Sequence, residues 1–248
     1  MQLQDKVAVI TGGADGIGAG LTRAFVQEGA KVLFVDVQED KGLALEKELG
    51  SAAKFLKKDL RSPGMEQRIQ EAAREAFGVT LDVLVNNAQA SKPQLLLDVD
   101  QPALDLAFET GLWATWKLMR IFYNQLAASK GSIINFASGA GILGMPTQGV
   151  YGMNKEAIRG LSRTAANEWG PVGIRVNVVA PAAATAGFQW WQETYPDQAK
   201  EMISKVPLQR VGDVLTDVAP IVVFLASSAS QYMTGQTLMA DGGSIQLR

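Results

Sequence analysis

Tyr151 and Lys155 stand four residues apart in a helix-like stretch, and Ser138 lies upstream where a strand-like run ends. On a helix that spacing places the phenol and the ammonium on one face. A neighbouring ammonium stabilises phenolate and lowers a tyrosine pKa from about 10, which makes Tyr151 a usable acid/base. The Ser138 hydroxyl beside it would hold a substrate oxygen. The chain contains no His and no Cys. That excludes cysteine nucleophiles, Ser-His-Asp triads and zinc held by thiolate or imidazole, and no metal site is expected. A proton carrier near neutral pH must therefore be a carboxylate, a lysine or a tyrosine with a displaced pKa.

A second constellation lies at the start of the chain. The apolar run Val7-Ala8-Val9-Ile10-Thr11 delivers into Gly12-Gly13-Ala14-Asp15-Gly16-Ile17-Gly18, after which a helical pattern begins. Glycines let the backbone approach a dinucleotide pyrophosphate, and the free N–H groups and positive dipole end of the helix hold its charge. Asp36 closes the next strand-like run about 20 residues on, where a carboxylate accepts from adenosine ribose hydroxyls. It repels a 2'-phosphate, and Asp15 adds a second negative charge, so NAD is expected rather than NADP. The positive ring of the oxidised cofactor would favour the Tyr151 phenolate in the same way as Lys155.

The elements that must position these groups alternate. Val7 to Ile10, Val32 to Val35, Val83 to Val85, Ser132 to Phe136 and Ile174 to Val179 read as strands buried on both faces. Ile17 to Glu28, Met65 to Phe77, Leu104 to Ala128 and Lys155 to Trp169 read as helices, with Asp100 and Pro102 marking the start of the third. Strand and helix in alternation predict an α/β chain: a single Rossmann-type, doubly wound parallel sheet flanked by helices, one domain over 1–248. Only the stretch 182–206 leaves the pattern, and it reads as a variable substrate loop or lid that carries Trp190 and Trp191. At 248 residues, 47% hydrophobic and 19% charged, the composition is that of a globular protein, and a net charge of -2 argues against nucleic acid as a partner. No uncharged apolar stretch reaches the roughly 18 residues of a membrane span, and the first residues run straight into a strand. A cytoplasmic location is expected.

Taken together, these residues resemble the short-chain dehydrogenases/reductases. Thr11-Gly12-x-x-x-Gly16-x-Gly18, Asn86-Asn87-Ala88, Ser138, Tyr151-x-x-x-Lys155 and Asp241-Gly242-Gly243 match the family pattern over essentially the whole chain. The resemblance implies Tyr151 as general acid/base, Lys155 binding the nicotinamide ribose and assisting Tyr151, and Ser138 positioning the substrate oxygen. It implies Asp59-Leu60 at the adenine and Asn87 lining the cofactor, with Ala88, Tyr151 and Lys155 among its contacts. It further implies a homotetramer joined by long helices and the C-terminal strand.

The departures are as specific as the matches. Gly111 stands where the family carries an Asn in its long helix, Gln89 where Asn-Asn-Ala is followed by Gly, and Ala182 where Pro-Gly ends the sixth strand. Thr185 falls one position early, which weakens Ala184 and Thr185 as nicotinamide contacts. The glycine is expected to leave room for an ordered water between Lys155 and the main chain, so that restoring Asn changes turnover by less than about tenfold. Trp190 and Trp191 are expected to wall an apolar pocket, with helix packing or a subunit contact as the alternative; Trp113 and Trp116 read as core or interface. The reading is hydride transfer between NAD(H) and a secondary alcohol or ketone, with a leaning toward an apolar cyclic alcohol or steroid. Its rivals are a dehalogenase on the same fold, against which the intact glycine loop speaks, and a non-catalytic NAD-binding sensor or scaffold.

Overall fold

Seven parallel strands form one sheet in the order β3-β2-β1-β4-β5-β6-β7 in the computed structural model, which describes residues 1–246, the surroundings of Ala186 and Gly187 excepted. The strands are β1 (Val7–Thr11), β2 (Lys31–Asp36), β3 (Ala53–Lys57), β4 (Val83–Asn86), β5 (Ser132–Phe136), β6 (Arg175–Pro181) and β7 (Thr237–Ala240). The last two residues of the expected 1–248 unit lie outside the described residues. Helices cover both faces, so the central strands are apolar on both sides. Ala8, Ile10, Val32 and Phe34 pack against α1 (Gly16–Gln27) and α11 (Ala219–Ala226). Their alternates Val7, Val9, Leu33 and Val35 pack with residues of α3 (Met65–Phe77), α5 (Ala114–Ile121) and α8 (Gly149–Trp169). This two-sided burial is why the strands read as unbroken apolar runs.

Because β1 lies between β2 and β4, the chain winds one way from β1 through β2 to β3 and then crosses over to β4. That reversal opens a crevice at the carboxyl ends of β1 and β4, where ligands bind in sheets of this kind. Among the described residues no helix is long and apolar enough to cross a membrane.

The structure corrects several boundaries. Strands β3 and β7 have no counterpart in the sequence reading because both are sheet edges: Ala-Lys-Phe-Leu-Lys and Thr-Leu-Met-Ala are only partly buried and give no continuous apolar signal. The single helix expected from Leu104 to Ala128 is instead α4 (Gln101–Phe108), a π turn (Glu109–Trp113), α5 and α6 (Tyr123–Ser129). Asp100 does start it, accepting from Ala103 N at 2.8 Å. Helix α8 begins at Gly149, six residues before its expected start, so Tyr151 and Lys155 occupy its first two turns. The stretch 182–206 holds α9 (Ala186–Thr194) and α10 (Pro196–Ser204).

Candidate active site

The crevice at the sheet reversal is a cleft of about 350 Å³. Of the residues expected to hold a dinucleotide, Gly12, Asp15, Gly16, Asp36, Asp59, Leu60, Asn87 and Ala88 line it, and Ile17, Gly18, Tyr151 and Lys155 do not. The glycines divide the work. A Cβ at Gly18 would fall on the carbonyl oxygen of Gly12, and one at Gly12 would press on Asn87 and Ala88, so these two allow the loop to fold on itself. Gly16, at φ +51°, has only Thr185 Cγ2 near its missing side chain, at 3.7 Å, and it is the glycine that offers open backbone to a ligand. Ile17 packs into the core below.

Asp36 carries more than the ribose role assigned to it. Its Oδ2 accepts from Ala14 N at 3.1 Å, and its Oδ1 accepts from Val37 N at 2.7 Å and Gln38 N at 3.1 Å, so the carboxylate also fixes the glycine loop to the end of β2. Asn87 does the same from β4, its Nδ2 donating to Thr11 O and Gly12 O. Asp15 is a correction. It caps α1 by accepting from Gly16 N at 2.9 Å and pairs with Lys41 at 2.6 Å. The Lys41 ammonium, together with the Gly16 N–H, holds its carboxyl below the usual range against the pull of burial. Its charge is therefore countered locally, rather than standing as a second free carboxylate in the loop. Asp59 is gripped by the guanidinium of Arg61, with Nη2 at 2.6 Å. The sequence reading missed Lys58, Gln38, Ala90 and Thr110 in the cleft wall. Only their position just past β2, β3 and β4 or on the π turn would have signalled them.

Ser138, Tyr151 and Lys155 are brought together beyond β5. Ser138 lies two residues past the strand rather than ending it, and it caps α7 (Gly139–Leu143) by accepting from Ala140 N at 3.2 Å. Its hydroxyl also faces the Tyr151 phenol. Burial raises the Tyr151 phenol above its ordinary value, and the Ser138 hydroxyl beside it draws it down by less. Lys155 is 3% exposed, donates from Nζ to Phe136 O at 2.9 Å, and lies 5.6 Å from the centre of the Tyr151 ring. Desolvation lowers its pKa to about 7. Burial thus weakens the ammonium that the sequence places beside the phenol.

Gly111 brings a second correction. Space for a water was expected beside it, but a Cβ there would fall on Oδ1 of Asn154 and Oε1 of Gln89. Side chains from two other elements fill the slot. Trp190 is 63% exposed, and Trp191 packs against Phe188 with ring centres 5.8 Å apart and the rings tilted by 46°. Trp113 and Trp116 are exposed on the long-helix surface, with Arg120 over the Trp116 ring at 4.5 Å, so the core reading of this pair fails.

A family model described as enoyl-(acyl carrier protein) reductase matches residues 12–244. The chain is 41% identical over 249 residues to a 12alpha-hydroxysteroid dehydrogenase of Clostridium sp. (strain ATCC 29733 / VPI C48-50), covering 96% of each protein. It is 36% identical over 255 residues to a 3-alpha-(or 20-beta)-hydroxysteroid dehydrogenase of Mycobacterium bovis, covering 98% of this chain and 91% of the relative. A crystal structure from Sinorhizobium meliloti 1021, described as a short-chain alcohol dehydrogenase, superposes with a TM-score of 0.89 at 32% identity, covering 98% of this chain and 97% of that one. With this coverage, and with the glycine loop and the Ser138, Tyr151, Lys155 set in place, the chain belongs to the short-chain dehydrogenase/reductase family of oxidoreductases.

Proposed function

We propose that this protein is an NAD(H)-dependent dehydrogenase that interconverts a secondary alcohol and its ketone on an apolar cyclic substrate of the hydroxysteroid class. The observation that carries the reaction is the trio at the carboxyl edge of the sheet: a serine hydroxyl and a phenol, both partly buried, and a buried lysine near neutrality, on the same sheet edge as the glycine-loop crevice. The residues present fit the cofactor. Gly16 gives open backbone at a helix N-terminus, Asp36 faces the ribose end, and Asn87, Ala88, Asp59 and Leu60 complete the wall. When bound, NAD supplies the hydride acceptor.

The chain's own groups manage the proton. In oxidation the Ser138 Oγ–H donates to the substrate oxygen, and Tyr151 takes the hydroxyl proton as phenolate, after its own phenol proton has left toward Lys155 and solvent. Lys155, with a pKa of about 7, holds or releases a proton at Nζ in the pH range where the phenol alone would stay protonated. In reduction each proton moves the other way. The chain acts as a single catalytic unit, and a homotetramer would cover the exposed Trp113 and Trp116 face and the β7 edge.

The substrate class rests on two supports. Two of the relatives named above are hydroxysteroid dehydrogenases, and the segment packed at the start of α8 is apolar: Leu96 packs on Gly149, and its neighbours Leu95 and Leu97 are exposed. Trp190 and Trp191 are proposed to extend that wall. The test is NADH absorbance with a panel of hydroxysteroids, simple cyclic alcohols and sugar alcohols, each with NAD and NADP. Steroid turnover that Tyr151→Phe lowers by about a hundredfold or more, with NADH affinity retained, is the expected result. Sugar-alcohol turnover without steroid turnover would overturn the substrate class, and NADH binding without turnover of any substrate would favour the non-catalytic sensor.

A further inference from the structure

The two departures Gln89 and Gly111 meet in space. Gln89 Nε2 donates to Ala107 O at 3.2 Å, and Asn154 Nδ2 donates to the same carbonyl at 2.7 Å. Ala107 lies one turn before Gly111, where the helix widens into its π turn and the regular ladder of helical hydrogen bonds is reorganised. With both nitrogens committed to Ala107, the two carboxamide oxygens converge on the position a Gly111 side chain would take, and neither has a donor among the described residues. In this orientation both amides donate to Ala107 O, and turning either over would set its oxygen against that carbonyl. A slot serving packing alone would be filled at less cost by an apolar side chain, because buried acceptors without donors are unfavourable.

What the clamp joins matters for the chemistry. Gln89 comes from the segment after β4 that lines the cofactor cleft, and its Nε2 also donates to Ala90 O at 3.1 Å. Thr110 ties the same segment to the π turn, accepting from Ala90 N at 3.0 Å. Asn154 is fully buried on α8, between Tyr151 and Lys155. We propose that Gln89 is a positioning residue: its carboxamide supplies, from the loop after β4, the group that position 111 of the helix lacks. Together with Asn154 it clamps the cofactor-lining loop and the π turn to the first turns of α8. Gly111 is then the partner of Gln89, since only glycine leaves the slot open. A displacement of about 1 Å at reacting groups can cost on the order of 10²-fold in rate, so a clamp at this junction acts on turnover through Tyr151 and Lys155.

The inference rests on the dehydrogenase reading, and its test separates the two. Gln89→Ala, Gln89→Glu, Gly111→Ala and the Gln89→Ala/Gly111→Ala pair are compared with the parent as full chains. Readouts are kcat and KM for oxidation of a 12α-hydroxysteroid by NAD, NADH affinity by fluorescence, and Tm. Gln89→Ala and Gln89→Glu should each lower kcat by about tenfold or more while KM and NADH affinity stay within about threefold. Glu fails because it keeps the size but cannot donate to Ala107 O while ionised. Gly111→Ala should lower Tm more in the Gln89 parent than in the Gln89→Ala background. Parental kcat in Gln89→Ala, or strictly additive Tm changes, would overturn the clamp. If the parent oxidises no 12α-hydroxysteroid, the substrate reading fails and the Tm comparison alone decides for or against the clamp.

Discussion

Replacing Lys155 with Met should make the protein more stable near neutral pH while abolishing turnover, and the gain should vanish as the pH rises. The lysine is buried, its hydrogen-bond partner among the described residues is Phe136 O, and its pKa falls from 10.5 to about 7. Between those values the unfolded chain holds a proton at this site that the folded chain has released, so stability rises with pH, by up to about 1.4 kcal/mol per unit. Integrated from about pH 7 to about pH 9.5, the contribution is about 3 kcal/mol. Tyr151 does not interfere, because its raised pKa places its titration above this window. Lys155→Met removes the slope and leaves Phe136 O without a donor, at a cost of about 1–3 kcal/mol. The assay is urea unfolding of parent and variant at equal protein concentration across this pH range. The difference between the two curves cancels every other titrating group. Parallel stability curves would refute the argument, because they would mean that Lys155 stays charged in the folded protein.

Asp36→Ala should erode a preference for NAD over NADP that is expected to be at least about tenfold in kcat/KM, or about 1.4 kcal/mol. It should also raise KM for both cofactors, because Ala14 N, Val37 N and Gln38 N lose their acceptor; better use of NADP by the parent would end the NAD assignment. If α9 closes over bound ligands, acrylamide quenching of Trp190 and Trp191, isolated by difference from the Trp190→Ala/Trp191→Ala variant, should fall when NADH and steroid are added together. Quenching that ignores both ligands would leave the pair to packing.

The parts legible in the sequence were those that local spacing fixes. The four-residue step from Tyr151 to Lys155 needs only a helix. The glycine loop needs only a strand before it and a helix after it, and the central strands announce themselves because both their faces are buried. Edge strands β3 and β7 were not legible for the complementary reason: one partner and one wet face remove the apolar continuity on which the reading depends. The long helix was read as unbroken because a π turn substitutes no residue that an α-helix would refuse. Glu109 to Trp113 has no proline, and its one glycine sits where contact with α8, not helix propensity, decides the residue.

Side chains that answer each other across elements lie beyond any local pattern. Asp15 reads as a free negative charge in its loop, and only the fold shows Lys41 reaching back from α2 (Glu39–Leu49) to neutralise it. Lys155 reads as an ammonium, and only its burial makes it a group near neutrality. Gly111 reads as a loss, a missing side chain with room for water. The fold instead shows that Gln89 and Asn154 occupy that room, so that a change on the helix and a change in the loop after β4 are two halves of one contact. This reverses the expectation for Gly111→Asn. An asparagine at 111 would collide with a fully buried Asn154 already committed to Ala107 O, and it cannot enter unless that bond breaks or α8 moves. Substituting the family's residue at this one position should therefore impair the enzyme, because the carboxamide it would supply is already delivered from another strand end.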